Sequence, residues 1–420
     1  MPDIDPLRDS AAFRRLYLAR SVSLLSISIL AVSVAWQVYE LSASSLHVAG
    51  VSVGLAAGSL LGLLWGGTLA DRADRRRVMI LGRAAFVLVV GLLWLNSLRD
   101  DAGLLLIYAA TFLSGLTGGI SAPALMAALP RLVPEHQLAA AGALNALAME
   151  LGRLLGPLMA GLLLARSGLA TCYGVVLVGA ASVPILLARL PGNLLQSTEQ
   201  AISHATGRPS VLRQWLQGLR HVAGKQFIAC LLMLDLVAML FVSVHVLMPQ
   251  LGDAVLAGGP EMVGYLYAAP AVGALVVAAS SGWTRGLSRP GRLIVLATLL
   301  WGVAVCLTGV AAAYADSGAA WVPWVIIGML AMTGMADTAS DIVRGALLQI
   351  HTPDALRGRV SALWLLQGYV GPAIGGLQAA GLAALWSPAR AMMVGGSLCA
   401  GSVLIALALP RSALRRFFAK

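Results

Sequence analysis

The chain has 18 acidic residues in 420, and a few of them lie inside apolar runs where an ionised group is hard to keep. Glu150 and Arg153 sit on adjacent helical turns of the run 138–165, at a spacing that lets them pair with each other. Asp235 is the lone carboxylate of 226–249, with Met239 and Ser243 on its helical face and His245 beyond. In 321–345, Thr333, Asp337, Ser340, Asp341 and Arg344 recur every three or four residues and form one stripe. An ionisable group at the bilayer centre costs about 2.5–3.5 kcal/mol on insertion scales, so these six charged residues are candidates for proton coupling and for holding a polar solute. Structural ion pairs are the alternative for Glu150–Arg153 and for Asp341–Arg344. There is no metal-ligand spacing, nucleophile motif or phosphate-cradling loop, so no cofactor or metal is expected and a membrane-embedded enzyme is the weaker reading.

The segments that carry these residues determine the class. The composition is 59% hydrophobic and 11% charged, and apolar stretches of about 20 residues recur along the chain, which predicts a polytopic helical membrane protein. Twelve spans are expected, at 15–40, 47–70, 77–97, 103–127, 138–165, 170–189, 226–249, 261–283, 292–314, 321–345, 359–385 and 390–409. Arg14 and Arg15 precede the first run, but its length and the spans that follow mark it as a membrane helix rather than a signal peptide.

Charge gives the orientation. Arg8, Arg14, Arg15, the turn Arg72 to Arg77, Arg131, the basic residues of 208–225, Arg285, Arg289, Arg357, Arg359 and the basic tail fall on one face. Arg99, Arg166 and Arg390 fall on the other. The rule that short basic turns stay inside then predicts cytoplasmic termini. The net charge of +11 therefore reports topology and not a nucleic-acid partner. The four cysteines stand singly in apolar runs and are expected to be packing residues.

The longest polar interruption divides the chain into a six-helix bundle (1–189), a cytoplasmic linker (190–225) and a second six-helix bundle with a short tail (226–420). Within the linker, Val211, Leu212, Trp215, Leu216, Leu219 and Val222 keep helical spacing, which predicts an amphipathic helix along the membrane surface, with a flexible tether the alternative for the polar stretch 197–209. The halves repeat one another. Gly156-Pro157-x-x-Ala160-Gly161-Leu162 recurs as Gly371-Pro372-x-x-Gly375-Gly376-Leu377, and Gly67 finds Gly282 at the same offset. Polar faces recur as well: Ser26, Ser33, Gln37 and Glu40 on the first span, and Thr111, Ser114 and Ser121 on the fourth. With the seventh and tenth spans they suggest the walls of a central polar route.

The turn Gly67-x-Leu69-Ala70-Asp71-Arg72-x-x-Arg75-Arg76 resembles the signature between the second and third helices of the major facilitator superfamily, with Asp74 where that family usually has Gly. The resemblance implies a cytoplasmic latch at Gly67, Asp71, Arg72, Arg75 and Arg76; an ordinary positive-inside anchor is the alternative. Gly152-x-x-x-Gly156-Pro157-x-x-Ala160-Gly161 is similar to the fifth-helix signature of the family's exporters that work as antiporters, and Gly371, Pro372, Gly375 and Gly376 repeat it. Close helix packing needs the same residues.

The segments 123–134, 352–363, 12–20 and 264–270 look like the branch of siderophore exporters that contains the enterobactin exporter. That resemblance implies secondary active export of a small molecule, a siderophore, from the cytoplasm across the bacterial inner membrane. It further implies proton antiport, action as a monomer in the lipid bilayer, and no cofactor besides the proton gradient. A broad-specificity efflux antiporter of the same fold is the alternative. Trp36, Tyr108, Trp364 and Tyr369 can stack on a planar ligand or simply pack, and nothing in the sequence separates a catecholate from a hydroxamate.

Overall fold

The computed structural model describes residues 4–72, 75–99, 102–128, 132–189, 219–220 and 222–408, with the side chains of 67–72, 75, 122–128, 281, 285 and 354–355 left outside the description. Among the described residues there are helices and no strands. This is what a bilayer demands, since a helix satisfies its backbone hydrogen bonds within one segment.

A short helix α1 (Asp5–Asp9) leads into α2 (Ala11–Ser42), α3 (Ser45–Arg72), α4 (Arg75–Ser97), α5 (Leu104–Ala128) and α6 (Leu138–Ala188). The second half holds α7 (Gln226–Val242), α8 (Gly259–Ala279), α9 (Pro290–Ala313), α10 (Val322–His351), α11 (Asp354–Leu385) and α12 (Pro388–Ala408). Eleven helical stretches among the described residues are long and apolar enough to cross a membrane. Large apolar side chains such as Leu88, Leu105 and Val178 are exposed on them, as a lipid-facing surface requires.

The expected count of twelve is reached because α6 holds two spans. Its 51 residues are broken at Gly168, where φ is 77° and ψ is 176°, a conformation essentially reserved for glycine. Cys172 Sγ approaches the Ala160 carbonyl oxygen at 3.8 Å although 12 residues separate them. An unbroken helix would place them about 18 Å apart. The two arms of α6 therefore fold back on each other as an antiparallel pair.

The seventh span also differs from expectation. Instead of one helix over 226–249, α7 ends at Val242, and a 3-10 turn (His245–Leu247), a short helix (Met248–Gln250) and a π turn (Leu251–Val255) carry the chain onward. Two residues explain the interruption. Ser243 Oγ donates to the Met239 carbonyl at 2.5 Å, replacing a backbone bond in the manner that bends helices. Pro249 has no N–H to give to the carbonyl of His245, which instead accepts the Met248 N–H.

The helices cluster into two units. In the first, α2 and α4 pack on α6, and α4 on α5; Phe13, Leu16, Met79, Leu144 and Leu187 form a core at the end where the chain enters. The second unit takes the described residues from 219 onward together with 43–49. There α10 packs against both α8 and α9, α9 also packs on α12, and α7 lies against α9, α11 and α12 around Ile228, Leu231, Ile294, Val295 and Val343. Of the linker expected at 190–225, residues 190–218 and 221 lie outside the described residues, and with them most of the amphipathic segment.

Small residues rather than hydrophobicity hold such helices together, because lipid is as apolar as a leucine side chain. The two copies of the Gly-Pro signature illustrate this. On the first arm of α6, a Cβ at Gly152 would lie 3.2 Å from Leu24 of α2, and one at Gly156 would collide with Ser28. On α11, a Cβ at Gly371 would come within 2.9 Å of Met239 Sδ, one at Gly375 would meet the Met239 carbonyl, and one at Gly376 would lie 2.9 Å from Val246. Pro157 and Gly161 are buried on α6, and Pro372 is inside α11. Each copy seats its helix on the first helix of its own unit.

Candidate functional site

The site grows from two helices of opposite character. α7 is almost wholly apolar and buries Asp235, whose exposure is 0%. α10 presents the polar stripe, and from it Arg344, with 1% exposure, reaches across to α7. Arg344 Nη1 donates to Asp235 Oδ1 at 2.7 Å and to Asp341 Oδ1 at 2.6 Å, while Nη2 donates to Ser340 Oγ at 2.7 Å. Three of the stripe's five positions, Ser340, Asp341 and Arg344, form the cluster, and Asp337 lies one turn earlier, half-buried on the same helix. The fifth, Thr333, turns its hydroxyl back to the Leu330 carbonyl at 2.6 Å.

A third helix completes the arrangement. Gln367 on α11 donates both hydrogens of Nε2, one to Asp235 Oδ2 at 2.9 Å and one to the Leu232 carbonyl at 3.0 Å. Gln367 had been expected by no motif; its signal in the sequence is only that it is polar within an apolar run. One aspartate therefore ties α7, α10 and α11.

The charge balance is what makes this cluster chemically interesting. One guanidinium faces two carboxylates, and Asp341 is 46% exposed while Asp235 is sealed. With both carboxylates ionised the group carries one excess negative charge, and taking up one proton makes it neutral. A buried pair of this kind adds little net stability, because desolvation offsets the Coulombic gain.

The other sequence candidates separate from this cluster. Glu150 and Arg153 belong to the first unit and meet each other at 3.1 Å, with Arg153 59% exposed. Two residues of the first span's polar face, Ser33 and Gln37, are satisfied within that unit, while Glu40 is exposed. Gln37, buried, accepts the Tyr173 hydroxyl of the second arm of α6 at 2.6 Å, and Ser33 donates to the Ile29 carbonyl. Thr111 and Ser121 on α5 likewise bond back to their own helix.

At the charged turn, the side chains of Gly67, Asp71, Arg72 and Arg75 lie outside the described residues. Arg76 donates to the Ala188 carbonyl and Arg15 to the Arg189 carbonyl at 2.9 Å, two cations at the carbonyl end of α6 where the helix dipole favours them. Among the described residues no group of His, Cys, Asp and Glu is arranged to hold a metal.

Comparison with known proteins locates this architecture. A family described as transmembrane secretion effector matches residues 2–417. The enterobactin exporter EntS of Shigella boydii serotype 18 is 34% identical over 415 residues, spanning 98% of this chain and 94% of that protein. The enterobactin exporter EntS of Escherichia coli O139:H28 is 34% identical over the same length. In fold, the chain resembles a POT family transporter solved with 5-aminolevulinic acid, at TM-score 0.74, 15% identity and coverage of 95% and 96%. It also resembles the nucleoside transporter NupG, at TM-score 0.69, 11% identity and coverage of 97% and 98%. Helices that cross a bilayer, a duplicated architecture shared with solved transporters, and relatives matched from end to end place this chain in the transmembrane secretion effector family of the major facilitator superfamily, a family of multi-pass secondary transporters and not of enzymes.

Proposed function

We propose that this chain exports a siderophore from the cytoplasm across the bacterial inner membrane, exchanging it for protons by alternating access. The observation that carries the export reading is the end-to-end similarity to proteins named as enterobactin exporters. In this reading the chain works as a monomer with cytoplasmic termini, and the turn 67–76 acts as a latch.

The Asp235–Arg344–Asp341 cluster supports the proton-coupled part. Protonation of Asp341, the half-exposed member, removes its ion pair with Arg344 and leaves the guanidinium to Asp235 and Ser340. Protonation of Asp235 in turn weakens the bonds that tie α7 to α10 and α11. A change of proton occupancy thereby becomes a change in how tightly three helices are held, which is the kind of bistable element a two-state transporter needs.

The test is secretion by iron-starved cells with and without the gene, scoring siderophore in the medium and retained inside. Retention with loss from the medium, rescued by the gene, is the expected result. Unchanged secretion in a strain lacking other exporters would exclude the siderophore and turn attention to a panel of toxic compounds.

A further inference from the structure

Three helices of the first unit meet around two arginines, Arg20 at the end of the segment 12–20 and Arg83, neither of which is among the candidate site residues above. Arg20 lies on α2 and Arg83 on α4, each roughly 12 to 14 Å from the start of its helix at about 1.5 Å per residue. Arg83 Nη1 donates to Ser23 Oγ on α2 at 2.8 Å. Ser23 is one turn from Arg20 on the same face, so Arg83 is held within one helical turn of Arg20. Arg20 Nη2 meets the thioether of Met149 on α6 at 3.9 Å, and Arg20 Nε is buried without an acceptor.

The mismatch between donors and acceptors is large. Each guanidinium offers five N–H donors and accepts none. Among the described residues, the pair is met by one hydroxyl and one thioether sulfur, a weak acceptor, and by no carboxylate. Glu150, next to Met149 in sequence, is turned to Arg153 instead. Arg344 in the second unit differs in its terminal nitrogens, which hold two carboxylates and a hydroxyl, although its Nε is likewise buried without an acceptor.

We propose that Arg20, Arg83 and Ser23 form a binding subsite for an anionic oxygen group of the exported molecule: a carboxylate, or a deprotonated catecholate or hydroxamate. This rests on the siderophore reading above. Two guanidinium forks on neighbouring helices supply the paired N–H donors that a planar anionic oxygen pair accepts through parallel hydrogen bonds. Met149 supplies a polarizable apolar wall for the ring or chain that carries the anion. A bound anion balances the two positive charges and gives Arg20 Nε a partner. Burial of that nitrogen inside the bundle favours a solute over a phospholipid headgroup, whose phosphate offers the same chemistry at the membrane surface.

The experiment uses the full chain in phosphatidylcholine nanodiscs and measures binding of 2,3-dihydroxybenzoate and of its neutral amide. The wild type is expected to bind the acid at least tenfold more tightly than the amide. Arg20→Gln and Arg83→Gln should each abolish that preference, and Arg20→Lys should keep part of it. Because the lysine variant retains the charge, it remains informative should a glutamine variant misfold. Equal binding of acid and amide by the wild type, or an undiminished preference in the folded glutamine variants, would overturn the proposal. So would phosphatidylglycerol that co-purifies with the wild type and not with the variants while acid and amide bind alike, which would mark a lipid site. Preference lost in the variants with no siderophore secreted by wild-type cells leaves the subsite standing and removes the siderophore; secretion with acid and amide bound alike does the reverse.

Discussion

Arg344 and Asp235 are joined at 2.7 Å across two helices although 109 residues separate them in the chain. Their side chains are 1% and 0% exposed, and the arginine carries a second carboxylate, Asp341, on its own helix. The pair is therefore both a structural tie and the sealed half of a three-charge group, and the two roles can be separated by substitution.

Arg344→Leu leaves Asp235 buried without its counter-charge, a change that typically destabilises by about 3–5 kcal/mol. Folded yield and thermal stability in detergent should fall sharply. The double variant Arg344→Leu with Asp235→Leu should recover most of the loss, since it removes both charges. A double variant as unstable as the single one would mean the pair does not hold α7 to α10.

Asp341→Asn removes the excess negative charge while leaving the Arg344–Asp235 pair intact, so its stability should change by no more than about 1 kcal/mol, as for other half-exposed ion pairs. Efflux driven by an imposed pH gradient in reconstituted vesicles should nevertheless fall at least tenfold. Asp235→Asn should reduce both stability and efflux. Unchanged pH dependence in both variants would remove the proton-coupling role from this cluster.

Gly168 stands at φ 77° and ψ 176°, between the two arms of α6. Any residue with a Cβ is strained there by about 1–3 kcal/mol, so Gly168→Ala should lower thermal stability measurably. Gly103→Ala, where a Cβ would meet nothing within 4 Å, serves as the control and should change little.

Gly273 on α8 and Gly334 on α10 let two backbones touch: a Cβ on the first would collide with the Ala331 carbonyl, and one on the second with Pro270. Because the obstructing atoms are backbone, neither helix can give way by a rotamer change. Gly334→Val should destabilise by about 1–3 kcal/mol or more and perturb Arg344, which is on the same helix. Gly328→Val on α10, facing open space, should leave stability within about 0.5 kcal/mol.

Much of the architecture is legible in the sequence because hydropathy and charge act locally. The run 292–314 became α9, Pro290–Ala313, and 77–97 became α4, Arg75–Ser97, since bilayer thickness sets length without reference to any partner. The seventh span departed from this rule because Ser243 and Pro249 alter backbone hydrogen bonding in a way that hydropathy does not register. Likewise the stripe Ser340, Asp341 and Arg344 is visible from helical spacing, whereas Ser33 and Gln37 form an equally good stripe whose hydroxyl turns back to its own helix and whose amide meets Tyr173 of α6.

The sequence by itself determined the spans, the basic turns between them and the duplicated Gly-Pro signature. Each depends on residues near one another in the chain. Only the tertiary structure decided that Asp235 belongs with Arg344 and Gln367, that Arg153, and not a more distant group, takes Glu150 at 3.1 Å, and that Arg20 and Arg83 meet a thioether and a hydroxyl and, among the described residues, no carboxylate. Helical periodicity places a side chain on a face, but the partner of that face is chosen by which helices pack closely enough to touch.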